Sequence, residues 1–285
     1  MPRLLISPPL VGLAASGGRG LRGGGGKRKS LSNQVIVNAK IISCLVGHRA
    51  LLMIISAYQP YFAPFPGFFQ KALGSDILVL MDAVQFPRGT TWLNRNRLKN
   101  DQGTLWLTIP VWKKGLGLQE INEIKICHDG RWAKKHLASL KTAYGKAPFF
   151  EEHMLFLEGI FSEKYEKLIE LNLKIIEHLM NHLRISVKIQ LLSELDIDAN
   201  EPQLSLEVCK KLGASHFFAQ SSAKKYLDKE AFQQAGVELK FFNPRPLVYP
   251  QLWGAFIPNL SAFDLIFNCG TEAHTILERG MRGIY

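Results

Sequence analysis

From residue 53 onward the chain alternates short, unbroken apolar runs with segments whose apolar residues recur every three or four positions. The run at 53–57 (Met-Ile-Ile-Ser-Ala) predicts a strand. It stops at Gln59-Pro60-Tyr61-Phe62-Ala63-Pro64-Phe65-Pro66-Gly67, where three prolines and a glycine impose a loop. Residues 68–73 predict a short helix ended by Gly74, and 76–81 (Asp-Ile-Leu-Val-Leu-Met) a buried parallel strand that stops at Asp82. Together they form a β-loop-α-β unit. Ligands in such units gather at the carboxyl ends of the strands, where Tyr58, Gln59, Asp82 and Gln85 stand.

Further along, 94–97 (Asn-Arg-Asn-Arg) precedes 105–111, which alternates like a half-buried strand. If 94–97 is extended, Arg95 and Arg97 share one face and Asn94 and Asn96 the other. Residues 131–144 predict a helix that carries His136 beside its apolar stripe. Residues 162–183 predict a long amphipathic helix on Leu168, Leu171, Ile175, Ile176, Leu179 and Leu183, a scaffold element. Helix and strand then alternate: helices at 204–212 and 229–235 closed by Gly213 and Gly236, strands at 216–219 and 237–242, and helices at 261–268 and 272–279. The pattern predicts an α/β fold: a parallel or mixed sheet flanked by helices, a Rossmann-like opening unit and a single main domain over 53–285.

The formal charge of +11 suggests a polyanionic partner until its location is considered. Residues 1–52 hold eight Lys/Arg and no Asp or Glu, which leaves 27 basic against 24 acidic residues for the rest. So balanced a domain gives no electrostatic reason to expect nucleic acid. The leader is rich in Gly, Ser and Arg and is expected to be disordered. Its 18–23 match to G-x-G-x-x-G lacks a preceding strand, and Gly26-Lys27 lacks the Ser/Thr of a phosphate loop, so chance explains both. Residues 4–15 have the length of a short signal-peptide core, and the acid-free composition also suits a transit peptide. A start at Met53 preceded by translated upstream sequence is the favoured reading. The four cysteines are far apart and lack zinc-site spacing, which points to a reducing, cytoplasmic compartment and no metal. No run is long enough to predict membrane insertion.

Several islands resemble the WbqC-like family of bacterial surface-polysaccharide gene clusters. They are Gln59-Pro60-Tyr61-Phe62-x-Pro64 with Gly67-Phe68-Phe69 and Asp76; Asp82-x-x-Gln85-Phe86; Asn94-Arg95-Asn96-Arg97; Trp106-Leu107-Thr108-x-Pro110-Val111; Trp132 with His136; Tyr144 with 147–150; Leu171-Asn172; and 258–270, which includes Asp264. The resemblance covers residues 53–270; the leader has no counterpart. It implies a transferase of surface-polysaccharide or amino-sugar biosynthesis, one that moves an acyl or aminoacyl group from a carrier-protein thioester to the amine of a sugar or nucleotide sugar, without a cofactor.

Such a transfer needs a base for the amine proton and donors for the oxyanion; a thioester is activated enough to dispense with a metal. His136 is the candidate base, with Asp82 or Asp264 to orient it; its alternative is a helix residue packed near Trp132. Gln59, Asn94, Arg95, Asn96 and Arg97 are candidate donors to the oxyanion or to a sugar-linked phosphate. Tyr58 and Tyr61 are candidates to stack on a sugar or base, and Gln85 to bind substrate. All these groups are expected to converge on one cleft. The opening unit is also similar to nucleotidyltransferases of the HIGH-motif type, but its loop has no histidine, which leaves nucleotide binding without adenylyl transfer. A non-catalytic assembly factor is the third reading.

Overall fold

A computed structural model describes residues 52–281; the expectations for the leader lie outside the described residues. The chain begins with β1 (Ile54–Tyr58), α1 (Pro66–Leu73) and β2 (Ile77–Leu80), followed by a hairpin of β3 (Arg95–Asn100) and β4 (Gly103–Thr108). Three helices follow: α2 (Trp132–Tyr144), α3 (Met154–Ser162) and α4 (Leu168–His182). Then come β5 (Lys188–Leu191), α5 (Gln203–Leu212), β6 (His216–Gln220), α6 (Lys229–Gln234) and β7 (Glu238–Phe242). Helices α7 (Ala262–Cys269) and α8 (Glu272–Met281) end the described chain.

The five-stranded sheet has the order β5-β2-β1-β6-β7, and every pairing in it is parallel. Strand order therefore reverses between β1 and β6, the switch point at which open α/β sheets leave a crevice at their carboxyl edge. The period-two alternation of the strands divides the apolar side chains between two layers. Ile55, Ile77, Val79, Phe217 and Leu239 join the core that includes Leu204, Val208 and Phe232 of α5 and α6. Tyr58, Leu78 and Leu80 join the larger core with Phe68, Leu171, Ile175 and Phe267 of α1, α4 and α7.

The loop after β1 is short of hydrogen-bond donors because prolines at 60, 64 and 66 have no N–H, while several of its carbonyls face the interior. Two buried asparagine amides supply what is missing. Asn172 of α4 donates to the carbonyls of Pro60 and Leu93, both at 2.8 Å. Asn96 of β3 donates to those of Phe62 at 3.0 Å and Ala63 at 2.7 Å. The backbone of Ala262 adds a bond to the Pro64 carbonyl. Ala63 is thereby held at a φ of 44°, a left-handed conformation that non-glycine residues rarely adopt.

Three elements depart from the sequence expectation. The long helix expected over 162–183 starts only at Leu168, because 163–167 instead joins the 124–126 segment: Ile126 donates to Glu166, Leu168 to Ile124, and Lys125 bridges Lys167. Helix α3, over Met154–Ser162, was not expected. Strand β5 was not expected; it is a four-residue edge strand beside β2, too short and too polar for a periodic signal. Elsewhere the alternation of strand and helix is as expected, and the sheet is wholly parallel. Among the described residues no helix is long and apolar enough to cross a membrane.

Asn172→Ala leaves two buried carbonyls without donors and should destabilise the protein by about 3 kcal/mol. Urea unfolding measures this; a loss below about 1 kcal/mol would show that the loop does not depend on the amide.

Candidate functional site

A cleft of about 480 Å³ opens at the switch point, over the carboxyl ends of β1 and β6. Tyr58, Gln59, Tyr61, Lys71, Gln85, Glu201, Ser205, Gln220 and Tyr226 supply its polar wall, and Ala57, Met81, Phe217 and Leu227 part of its apolar one. Tyr58 is fixed by its neighbours, with its ring stacked on Phe68 at 4.8 Å between centroids and tilted against Tyr61 at 6.0 Å. Burial pushes the Tyr58 hydroxyl well up from its ordinary range, the Gln220 side chain opposing. It stays a neutral donor. Across the cleft, Glu201 accepts a 2.6 Å bond from the Ser205 hydroxyl.

Lys71 is the group with the most unusual chemistry here. It lies in α1 three residues after Phe68, on the helix's buried stripe, and is 1% exposed. Its Nζ donates to the Ala57 carbonyl at 2.7 Å and sits 4.2 Å from the centre of the Tyr58 ring. No ion pair among the described residues involves it. Burial without a carboxylate partner pulls its pKa down from 10.5 to about 7. A lysine so placed is half neutral near physiological pH and can take up or release a proton.

Of the residues singled out from the sequence, Tyr58, Gln59, Tyr61 and Gln85 line this cleft. The others are elsewhere. Asp82 is buried, and its carboxylate accepts from the Ser193 backbone N–H at 2.9 Å and the Ser193 hydroxyl at 2.6 Å, tying the end of β2 to the turn after β5. Arg95 and Arg97 do share one face of β3, with Asn96 on the other, but that face carries a ladder of rings and guanidinium groups. Trp92 stacks on Trp106 at 5.7 Å, Arg95 lies 3.8 Å over Trp106, and Arg97 lies 5.8 Å over Trp92. Arg97 also donates to the carbonyls of Pro258 and Asn259. Asn96 and Arg97 border a second cavity of about 250 Å³ with Phe65, Trp92 and Asn259. Tyr61 is the wall common to both spaces. Asn94 donates to the Ile109 carbonyl and lines neither.

The expected base is also remote. His136 packs edge-on against Trp132 and Phe161, with ring centres 5.4 and 5.9 Å away. Burial pulls its pKa down to about 4. Its Nε2 faces the Thr108 N–H at 3.4 Å, and neither Asp82 nor Asp264 bonds to it. Asp264 is buried in a separate network: it accepts from the Tyr144 hydroxyl at 2.7 Å, which in turn accepts from the Lys99 N–H at 2.9 Å. Burial raises its pKa, with Tyr144 and Tyr249 opposing. The expectation of one cleft holding all the candidate groups is therefore not met.

Lys71, Glu201, Ser205 and Gln220 were missed. For Lys71 a signal existed, a lysine on the apolar stripe of a short helix; for Gln220 it was a polar residue directly after an apolar strand. One group of side chains among the described residues could hold a metal, His153, His178 and His182, and it lies outside the cleft.

The protein gives a direct sign for Lys71. Between pH 7 and 10.5 the unfolded chain binds a proton that the folded chain does not, so stability rises with pH there, by up to about 1.4 kcal/mol per unit. Below about 7 both states are charged and the full cost of burying the ammonium is carried. Lys71→Met should therefore be stabilised over the parent most strongly at about pH 6, with an advantage that shrinks toward about pH 9. Urea unfolding across that range checks it; parallel curves would mean that Lys71 is not neutralised by folding.

A profile of the WbqC-like protein family matches residues 59–276. The uncharacterized protein Rv1507c of Mycobacterium tuberculosis is 31% identical over 222 residues, covering 77% of this chain and 95% of that protein. No solved structure matches. The match runs from Gln59, just after β1, into helix α8, and the chain belongs to the WbqC-like protein family.

Proposed function

We propose that the switch-point cleft is the active site of a transferase that moves an acyl or aminoacyl group from a carrier-protein thioester to the amine of a sugar or nucleotide sugar. The observation that carries this reading is Lys71, a buried amine with a pKa of about 7 among uncharged donors at the carboxyl edge of a parallel sheet. In the proposed step the acceptor amine attacks the thioester carbonyl carbon and a C–N bond forms. Lys71 takes the proton that the amine sheds. The side-chain amides of Gln59, Gln85 and Gln220 offer N–H donors to the oxyanion, which collapses as the C–S bond breaks. The thiolate leaves and recovers the proton from Lys71. Tyr61 gives the sugar a flat face, and Glu201 an acceptor for its hydroxyls.

A second reading, nucleotide-sugar binding without transfer, is favoured by the strand order, which dinucleotide-binding sheets share. The start of α1 does not offer the usual phosphate cradle. Pro66 occupies its first turn without an N–H, and a side chain at Gly67 would strike the Phe65 ring and Pro244, so that turn is closed by packing.

The test is incubation of the full chain with acyl- and aminoacyl-charged carrier protein and a panel of nucleotide-linked amino sugars, followed by mass spectrometry. N-acylated product should form at a rate that rises with pH through about 7 and then levels, as the base loses its proton. Lys71→Met should lower the rate by at least ~100-fold, and His136→Gln should leave it within about threefold. Product formation that survives Lys71→Met but not His136→Gln would overturn the assignment. Saturable nucleotide-sugar binding with no product would favour the second reading.

A further inference from the structure

Three imidazoles meet on the far side of the larger core. His178 and His182 stand four residues apart at the end of α4 and so project from the same face of the helix. His153 comes from the turn just before α3, and its Nδ1 lies 3.0 Å from Nε2 of His178. One ring nitrogen from each of the three lies within 4.8 Å of the others. The ring centres of His153 and His178 are each 4.4 Å from that of His182.

From these positions we propose that His153, His178 and His182 bind a divalent transition-metal ion of the zinc class. Imidazole nitrogens suit zinc, copper and nickel, and a set of three with no thiolate favours zinc among the ions a cell supplies. Zn–N bonds of about 2.0–2.1 Å in a tetrahedron put ligand nitrogens about 3.4 Å apart. The His153–His178 pair is already close to that spacing. His182 is exposed and has room to swing into place. A hydrogen bond between two neutral imidazoles accounts for the 3.0 Å pair, but not for the third ring facing the same point.

The surroundings fit an ion. Phe156 stacks on His178 at 3.6 Å between centroids and 8° between planes, and Phe267 lies 5.3 Å from His153, so two of the three rings are held by packing. The exposed side at His182 leaves a fourth position to water. None of the three histidines lines the switch-point cleft, so the ion would brace the 151–153 turn against the last turn of α4. The end of a helix suits a cation, because its carbonyls carry partial negative charge.

The full chain, purified without a histidine tag and stripped with a chelator, should take up one Zn2+ per molecule in a calorimetric titration. Co2+ in its place should give the visible bands of a tetrahedral nitrogen site. The melting temperature should rise with Zn2+ and fall back on chelation. His182→Ala, a change at an exposed position, and His178→Gln should each weaken the ion by at least ~100-fold. His128→Ala, an exposed histidine outside the cluster, should leave it unchanged. Failure to bind a stoichiometric ion, or binding of equal affinity in His182→Ala and His178→Gln, would overturn the proposal.

Discussion

A loop with three prolines has too few N–H donors for all of its carbonyls, and the architecture around the candidate site follows from how that deficit is met. Asn172 and Asn96 reach it from α4 and β3, elements more than thirty residues away in the chain, and convert a flexible connection into a fixed wall. Each amide satisfies two acceptors at once, so the loop, the long helix and the hairpin hold one another in register. The result is that Gln59 and Tyr61 sit at the mouth of the cleft instead of in solvent. Site residues on loops keep their geometry only when something rigid holds the backbone, and here the holding groups are themselves buried polar side chains.

Much of the fold was legible because its signals are local. The largely apolar segments at 76–81 and 216–219 read as strands, the first as a buried parallel one, and Gly213, at a φ of 69°, marks the end of its helix. The true start of α4 at Leu168 was read six residues too early, because the polar 163–167 segment suits the exposed side of a helix and only its pairing with a segment about forty residues earlier shows it to be extended. The candidate site was half legible. Rules about strand ends found Tyr58, Gln59 and Gln85 correctly as cleft residues. The same rule failed for Asp82, because a backbone N–H and a hydroxyl on the neighbouring turn satisfy its carboxylate. Period-two parity placed Arg95 and Arg97 on one face of β3 but carried no information about which space that face borders. Lys71 escaped notice because a lysine in a helix is ordinarily read as solvent-facing, whereas here the stripe it shares with Phe68 is the buried one.

The chemistry then divides between two kinds of buried polar group. Asp82, Asp264, Asn96 and Asn172 have partners and hold the scaffold, and His136 is packed among aromatic rings. Lys71 differs from all of them. It donates to a backbone carbonyl, no ion pair among the described residues involves it, and it lines an open cleft. A fold carries such a cost where the uncharged form is useful. Among the groups that line the cleft, the amine is the one best able to move a proton near neutral pH.

The proposed transfer turns on Lys71 being an uncharged amine in the folded protein at neutral pH. Titration of its isotope-labelled side chain, followed by NMR and assigned with Lys71→Met, reads that state directly. The midpoint should lie at about 7. A midpoint at the ordinary lysine value of 10.5 would contradict it.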